Sequence, residues 1–289
     1  MMNETNNELD TALAAGQLIG AARQPLRNED GMTPDPSEAG IPYVLVPQNS
    51  TVKSLEHLLP RPSRKQGLVS VARPESFVEF LSWHSEVGRS TIYVCIDSEA
   101  SLLRAVCVLN DHSPDAQNWR DHRCIFEPRL SVEWKRWIGQ DRKQMTQGDF
   151  AAWLEENRGD VATLEGMPDG AQILEMALKF EATAEKRLKS HVSLSSGCRS
   201  FEFVDREDDG TRTLMKVFER FTIGIPVFAG STDAYPIEAR LRYRNNGGTL
   251  GFWYELIRAD KVFKQAAEEI AESLAEKSGI TLIHGDPGK

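Results

Sequence analysis

The chain has no run of about 18 apolar residues, the length a helix needs to cross a bilayer, so no transmembrane helix is readable in it. Its start, Met1-Met2-Asn3-Glu4-Thr5, lacks the basic and apolar regions of a secretory signal, and a cytoplasmic location is expected. Cysteine is scarce. Cys95, Cys107, Cys124 and Cys198 stand apart among apolar neighbours with no C-x-x-C pair. That spacing argues against a zinc site or a disulfide framework and predicts small buried thiols in a reducing compartment. Positive charge is in deficit too, with 34 Lys and Arg against 43 Asp and Glu and a formal net charge of −9. The balance excludes a protein that coats nucleic acid or anionic membrane with its whole surface, so any such contact must use a local patch.

Catalytic signatures are missing as well. His284-Gly285-Asp286-Pro287-Gly288-Lys289 lacks the frame of a phosphate loop, and no G-x-S-x-G elbow occurs. Asp111, His112, Asp121, His122 and Cys124 are the one sequence cluster of potential metal ligands, but their spacing matches neither zinc nor iron sites and reads as a polar loop. No cofactor and no metal are predicted, and enzyme status has no support.

What is present is enough apolar material, 40% of 289 residues, for one large or two small cores. Residues 1–40 carry seven acids, Arg23, Arg27 and a Thr33-Pro34-Asp35-Pro36 breaker, a composition that predicts a mobile acidic arm with at most a short helix around Leu9 to Ala22. Residues 41–160 read as a mixed α/β unit. It has strand-like runs at Tyr43–Val46, Leu68–Val71, Thr91–Ile96 and Leu102–Leu109, and helices around Leu55 and Leu58 and from Pro74, where proline takes the first helical position. Ser131 and Thr146 are placed to cap two further helices, the second carrying Phe150, Trp153 and Leu154. Residues 161–197 carry a stripe of Ile173, Ala177, Phe180, Ala184 and Leu188, spaced three or four apart, and read as a bridging helix. If that stripe is exposed it needs a partner, so a homo-oligomer is expected.

Residues 198–289 read as an antiparallel sheet followed by a covering helix over 259–275, which makes the fold class α+β. Phe201 and Phe203 alternate with polar residues, and Met215, Val217, Phe221 and Ile223 form one longer alternating run ending at Pro226. Asn245-Asn246-Gly247-Gly248 marks a hairpin. With Asn246-Gly247 at the turn, Tyr243 should pair with Leu250, Leu241 with Phe252 and Ala239 with Tyr254. This places every large apolar side chain except Trp253 on one face.

Arg240, Arg242 and Arg244 then share the other face with Trp253, and the expected register sets Arg240 against Trp253 for cation–π stacking. Guanidinium groups for phosphates and a ring for a base suit single-stranded DNA or a nucleotide. The plain alternative is a solvated face with Glu238 and Glu255 as counter-charges, or one packed on another subunit. A second basic stretch, Trp119 to Lys143, interleaves cations with Trp119, Trp134 and Trp137, but Trp134 and Trp137 fall on one helical face and read as core. Pro114-Asp115 with Glu133-Trp134-Lys135 imitates the degenerate pattern of metal-dependent nucleases, although the latter residues sit in a helical pattern.

Ser131-Val132-Glu133-Trp134-Lys135-Arg136-Trp137, continuing through Asp141, Met145 and Gln147 to Phe150–Asn157, resembles the YfdQ-like family of phage and prophage proteins. Phe221–Phe228 and the hairpin with Phe252-Trp253-Tyr254 are similar to it as well; the resemblance covers roughly two-thirds of the chain and leaves out the leading arm. It implies a phage or prophage accessory protein in a bacterial cytoplasm, encoded near replication and recombination genes, and it brings no catalytic residues. Three functions follow as expectations: binding of single-stranded DNA or a nucleotide through Arg240, Arg242, Arg244 and Trp253; engagement of a host protein or defence component through the acidic surface; or a metal-dependent nuclease.

Overall fold

A computed structural model describes residues 60–62, 64–86, 88–179, 198–202, 214–246 and 249–288. The chain divides into two compact units, Met1–Lys65 and Gln66–Lys289, and every element below belongs to the second. The expected arm 1–40, the strand Tyr43–Val46, the helix around Leu55 and Leu58, and Phe180, Ala184, Leu188 and Phe203 lie outside the described residues.

The helices are α1 (Pro74–His84), α2 (Val132–Gln140), α3 (Gln147–Asn157), α4 (Gly170–Lys179) and α5 (Ala259–Ser278). The strands are β1 (Gly67–Val71), β2 (Thr91–Asp97), β3 (Leu102–Val108), β4 (His122–Phe126), β5 (Met145–Thr146), β6 (Cys198–Glu202), β7 (Leu214–Phe218), β8 (Arg220–Ile225), β9 (Tyr235–Asn246), β10 (Thr249–Leu256) and β11 (Thr281–His284). The class is α+β. A five-stranded sheet runs β1-β4-β3-β2-β11, a four-stranded sheet runs β5-β10-β9-β8, and β6 and β7 form a pair of their own. Among the described residues no helix is long and apolar enough to cross a membrane.

Local chemistry sets the helix starts. Proline opens α1, the Ser131 hydroxyl accepts from the Trp134 amide at 2.9 Å, and the Thr146 hydroxyl accepts from the Asp149 amide at 3.2 Å. At the far end of α5, Gly279 turns left-handed at φ 68° and donates its N–H to the Ala275 carbonyl at 2.8 Å.

In the five-stranded sheet β2, β3 and β4 are antiparallel neighbours, while β1 joins β4 and β11 joins β2 in parallel. α1 and α5 lie on one face of it, with Phe77, Leu81, Ile92, Val94, Cys107, Cys124 and Phe126 buried between. α5 was expected over the C-terminal sheet; it packs on β9 and equally against α1, β2 and β11, so one continuous core serves both sheets.

Three expectations need correction. The run from Met215 to Ile223 is two strands in two different sheets, β7 and β8, separated at Glu219. The described part of the 173–188 stripe is interior: Ile173 and Ala177 are buried, as is their neighbour Met176, with α4 packed on α3 and the 158–160 turn, so this part needs no partner. Cys95 is exposed, because alternation along β2 turns it away from the helices and opposite Arg104, while Cys107 and Cys124 face inward. Burial pushes the Cys107 thiol up, and that of Cys124 up to about 12, which leaves both protonated and inert at neutral pH.

Gly170, the first residue of α4, lies close against the Arg158 main chain. A Cβ there would stand 2.6 Å from the Arg158 carbonyl oxygen, which is main chain and cannot swing aside. Gly170→Ala is expected to cost about 1–3 kcal/mol, read as a lower urea midpoint. An unchanged midpoint would show that the turn and the helix can separate freely.

Candidate nucleic-acid interface

The β9–β10 hairpin forms, with a register two residues away from the expected one. Asn246 pairs with Thr249, Tyr243 with Phe252, Leu241 with Tyr254 and Ala239 with Leu256. A shift of two keeps every side chain on its face, because strand alternation has a period of two. Ala239, Leu241, Leu250, Phe252, Tyr254 and Leu256 are therefore buried in the core as predicted. The turn residues 247 and 248 lie outside the described residues.

Arg240, Arg242 and Arg244 are all exposed on the opposite face, and Trp253 joins them partly buried. The shift changes which group meets the indole. Trp253 stands opposite Arg242, Arg240 stands opposite Glu255, and the guanidinium over the indole is that of Arg244, with its Cζ 5.9 Å from the ring centroid. The expected Arg240–Trp253 pairing is thus replaced by a diagonal contact.

Sequence reasoning named Glu238 and Glu255 as counter-charges of this face but missed one of its cations. Arg220 on β8 is paired with Arg240 in register, and its Nη1 contacts Glu238 Oε1 at 2.7 Å. Arg242 Nε donates to Glu255 Oε2 at 3.3 Å. Arg240 makes no ion pair among the described residues. Four arginines meet two glutamates here, so the face carries two surplus cations on a protein that is acidic as a whole. The signal was available in the alternation of β8, but only once β8 and β9 are known to be neighbours.

Other elements frame the patch. At the β8 margin the segment 161–162 closes it: the Ala162 N–H donates to the Thr222 carbonyl at 2.8 Å, and Thr222 is buried. At the other margin the Gln144 side chain lies across Gly251, occupying the place a Cβ would take. The Arg142 N–H donates to the Tyr254 carbonyl at 2.9 Å, and the Leu256 N–H donates to Asp141 Oδ1 at 2.8 Å, which ties the 141–144 segment to β10 and sets the exposed Arg142 and Lys143 beside it. Burial raises the Asp141 carboxyl, against the opposing pull of that amide and of Arg142. Between these margins Arg240, Arg242 and Arg244 stand exposed, with Trp253 and Glu255 half-buried beside them.

The other candidates separate. Trp134 and Trp137 are buried core residues of α2, whereas Trp119 is exposed. Glu133 and Lys135 lie on α2 instead of on a strand, and two residues apart on a helix means about 200° around its axis, so they do not converge as the nuclease pattern requires. Asp111 is buried and accepts hydrogen bonds from the Tyr93 hydroxyl and from Arg120, while His122 and Cys124 face the α1 side of β4. The five loop residues therefore point to different places. Among the described residues no three His, Cys, Asp or Glu side chains converge as metal ligands.

No curated protein and no solved structure is significantly similar to the chain. A family model does match, and it begins at residue 20, inside the segment read above as an arm outside the resemblance. That model, described as uncharacterized conserved protein (DUF2303), covers residues 20–287, and the chain belongs to this family.

Proposed function

We propose that the outer face of β9 and β10 binds single-stranded DNA, with Arg240, Arg242 and Arg244 on successive phosphates and Trp253 stacking a base. The observation that carries the reading is the row of three exposed guanidinium groups on one strand beside an indole on its neighbour. Alternate residues on a strand lie roughly 6.6 Å apart, a spacing that an extended phosphate backbone can follow. Arg244 over the ring supplies a cationic edge to which a stacked base adds. The resemblance to phage and prophage proteins, whose genes lie near replication and recombination functions, supports a binding role of this kind and a non-enzymatic one.

Anisotropy of labelled dT15 tests it. With three phosphates neutralised, log affinity should fall with log salt at a slope of about −2, a loss of roughly fifteenfold between about 50 and 200 mM. Arg240→Ala with Arg242→Ala should flatten the slope to about −0.7. Trp253→Ala should weaken binding on the order of tenfold while leaving the slope alone. Absence of binding at low salt, or a double variant indistinguishable from the parent, would end the proposal.

A further inference from the structure

The five-stranded sheet has a second face, turned away from α1 and α5. It carries a groove of about 410 Å³, lined by β1, β3, β4, the loop before β4 and the segment after β11. Its floor is Val106 and Ile125, paired across β3 and β4. Leu68, 62% exposed, stands at one rim and Trp119, 79% exposed, comes from the loop. Large apolar groups left this open beside an apolar floor are what an incoming side chain would cover.

The groove already holds a piece of peptide. Beyond β11 the Gly285 N–H donates to the Val94 carbonyl at 2.8 Å. Arg104 Nη1 stands 3.6 Å from Asp286 Oδ2, and Arg123 Nη1 donates to the Gly288 carbonyl at 2.7 Å. The two arginines thus read one carboxylate and one main-chain carbonyl of a turned segment, in which the Gly288 N–H donates to Asp286 Oδ1 at 2.7 Å and Pro287 lies along the groove. The hold is weak. Arg104 and Asp286 are 34% and 62% exposed, and ion pairs this open contribute little.

The receiving side, by contrast, is built in advance. Arg120 adopts a left-handed φ of 58° in the loop, and its guanidinium is fixed 2.8 Å from the buried Asp111. A non-glycine residue held in that conformation is kept there by its surroundings. A preset groove with a loosely held occupant is the arrangement of a site with an internal competitor.

We propose that this groove binds a short turned peptide segment of a partner protein, with a single carboxylate on Arg104, a main-chain carbonyl on Arg123 and an apolar side chain over Val106 and Ile125, and that residues 285–288 compete for it from within. The chemistry favours peptide over polynucleotide. Glu127 already holds Arg104 at 2.9 Å, Arg120 is committed to Asp111, and Asp121 lines the groove, so little positive potential remains for a row of phosphates. This site is separate from the β9–β10 face and does not depend on that reading.

The probe is a fluorescein-labelled peptide copying residues 284–289, titrated into the full chain and into Asp286→Ala. Removing the internal carboxylate should tighten binding on the order of threefold, the scale of one exposed ion pair. Adding Arg104→Ala should abolish the gain, Arg123→Ala should weaken binding in either background, and Lys264→Ala on the exposed side of α5 should change nothing. Thermal unfolding of each variant shows that the fold is intact. Equal affinity for the parent and Asp286→Ala, no binding to either, or indifference to Arg104 would overturn the proposal. So would dT15 showing the Asp286-dependent, Arg104-dependent gain in place of the peptide, which would reassign the groove to nucleic acid.

Discussion

Trp137→Ala should lower the unfolding free energy by about 3–5 kcal/mol, the range for truncating a fully buried large aromatic. The indole is wholly buried and meets three other rings: Trp153 at 5.7 Å, Phe221 at 6.1 Å and Tyr254 at 5.0 Å between centroids. Its Nε1–H donates to Asp160 Oδ2 at 2.7 Å, and the carbonyl of the same residue accepts from the Tyr254 hydroxyl at 2.7 Å. One residue therefore ties α2 to the 158–160 turn and to the core side of β8 and β10. Truncation leaves a cavity that rings fixed on separate elements cannot collapse to fill, and it leaves Asp160 without its donor. For a unit of this size the midpoint of thermal unfolding should drop on the order of 10 °C. Trp137→Phe keeps much of the ring volume and should lose less than half as much. A loss below about 1 kcal/mol for the alanine variant would mean that the aromatic junction does not hold the sheet. Because Tyr254 and Trp253 are neighbours on β10 and point to opposite faces, this junction also sets the strand that presents the proposed DNA-binding indole.

The parts of the fold that could be read in advance are those encoded over a few residues. Proline at the start of α1, the caps at Ser131 and Thr146, and the alternation on β9 and β10 are local, and each appears where its chemistry predicts. The hairpin register escaped because more than one pair within Asn245-Asn246-Gly247-Gly248 can supply positive φ, and packing of Phe252 on Phe150, with ring centroids 5.3 Å apart, is a tertiary matter. The parallel pairings of β1 with β4 and of β2 with β11 escaped for a different reason. They join segments far apart in the chain, and four residues, Thr281–His284, carry too little pattern to announce a strand. The same distance hid Arg220 from the arginine face and scattered the peptide groove over Leu68, Arg104, Trp119, Arg123 and Asp286. The loop cluster around Asp111 misled in the opposite sense, because residues close in sequence part across the sheet: His122 and Cys124 face α1, whereas Asp121 lines the groove and Asp111 meets Tyr93 and Arg120.

That loop gives the second large effect. Asp111 is 3% exposed, and burial alone would raise its carboxyl; hydrogen bonds from the Tyr93 hydroxyl, the His112 amide and Thr91, joined by the charge of Arg120, overcome this and hold it below the usual carboxylate value. A depressed folded pKa means that ionised Asp111 adds stability present above the unfolded value of about 3.9 and lost as the pH falls through the folded one. Arg120→Ala removes the single cation in this set and leaves a buried charge with neutral partners only, which should cost about 3 kcal/mol at pH 7. The variant's carboxyl then rises, and once protonated it no longer needs a cation. The gap between parent and variant should accordingly be widest near neutrality and narrow on acidification, as read from urea midpoints at pH 7 and at about pH 4. Tyr93→Phe, which deletes one hydrogen bond at 2.7 Å and no charge, should cost on the order of 1 kcal/mol. A gap that stays constant with pH would show that Arg120 acts on this loop by packing alone, since no other consequence of losing a guanidinium depends on the protonation of Asp111.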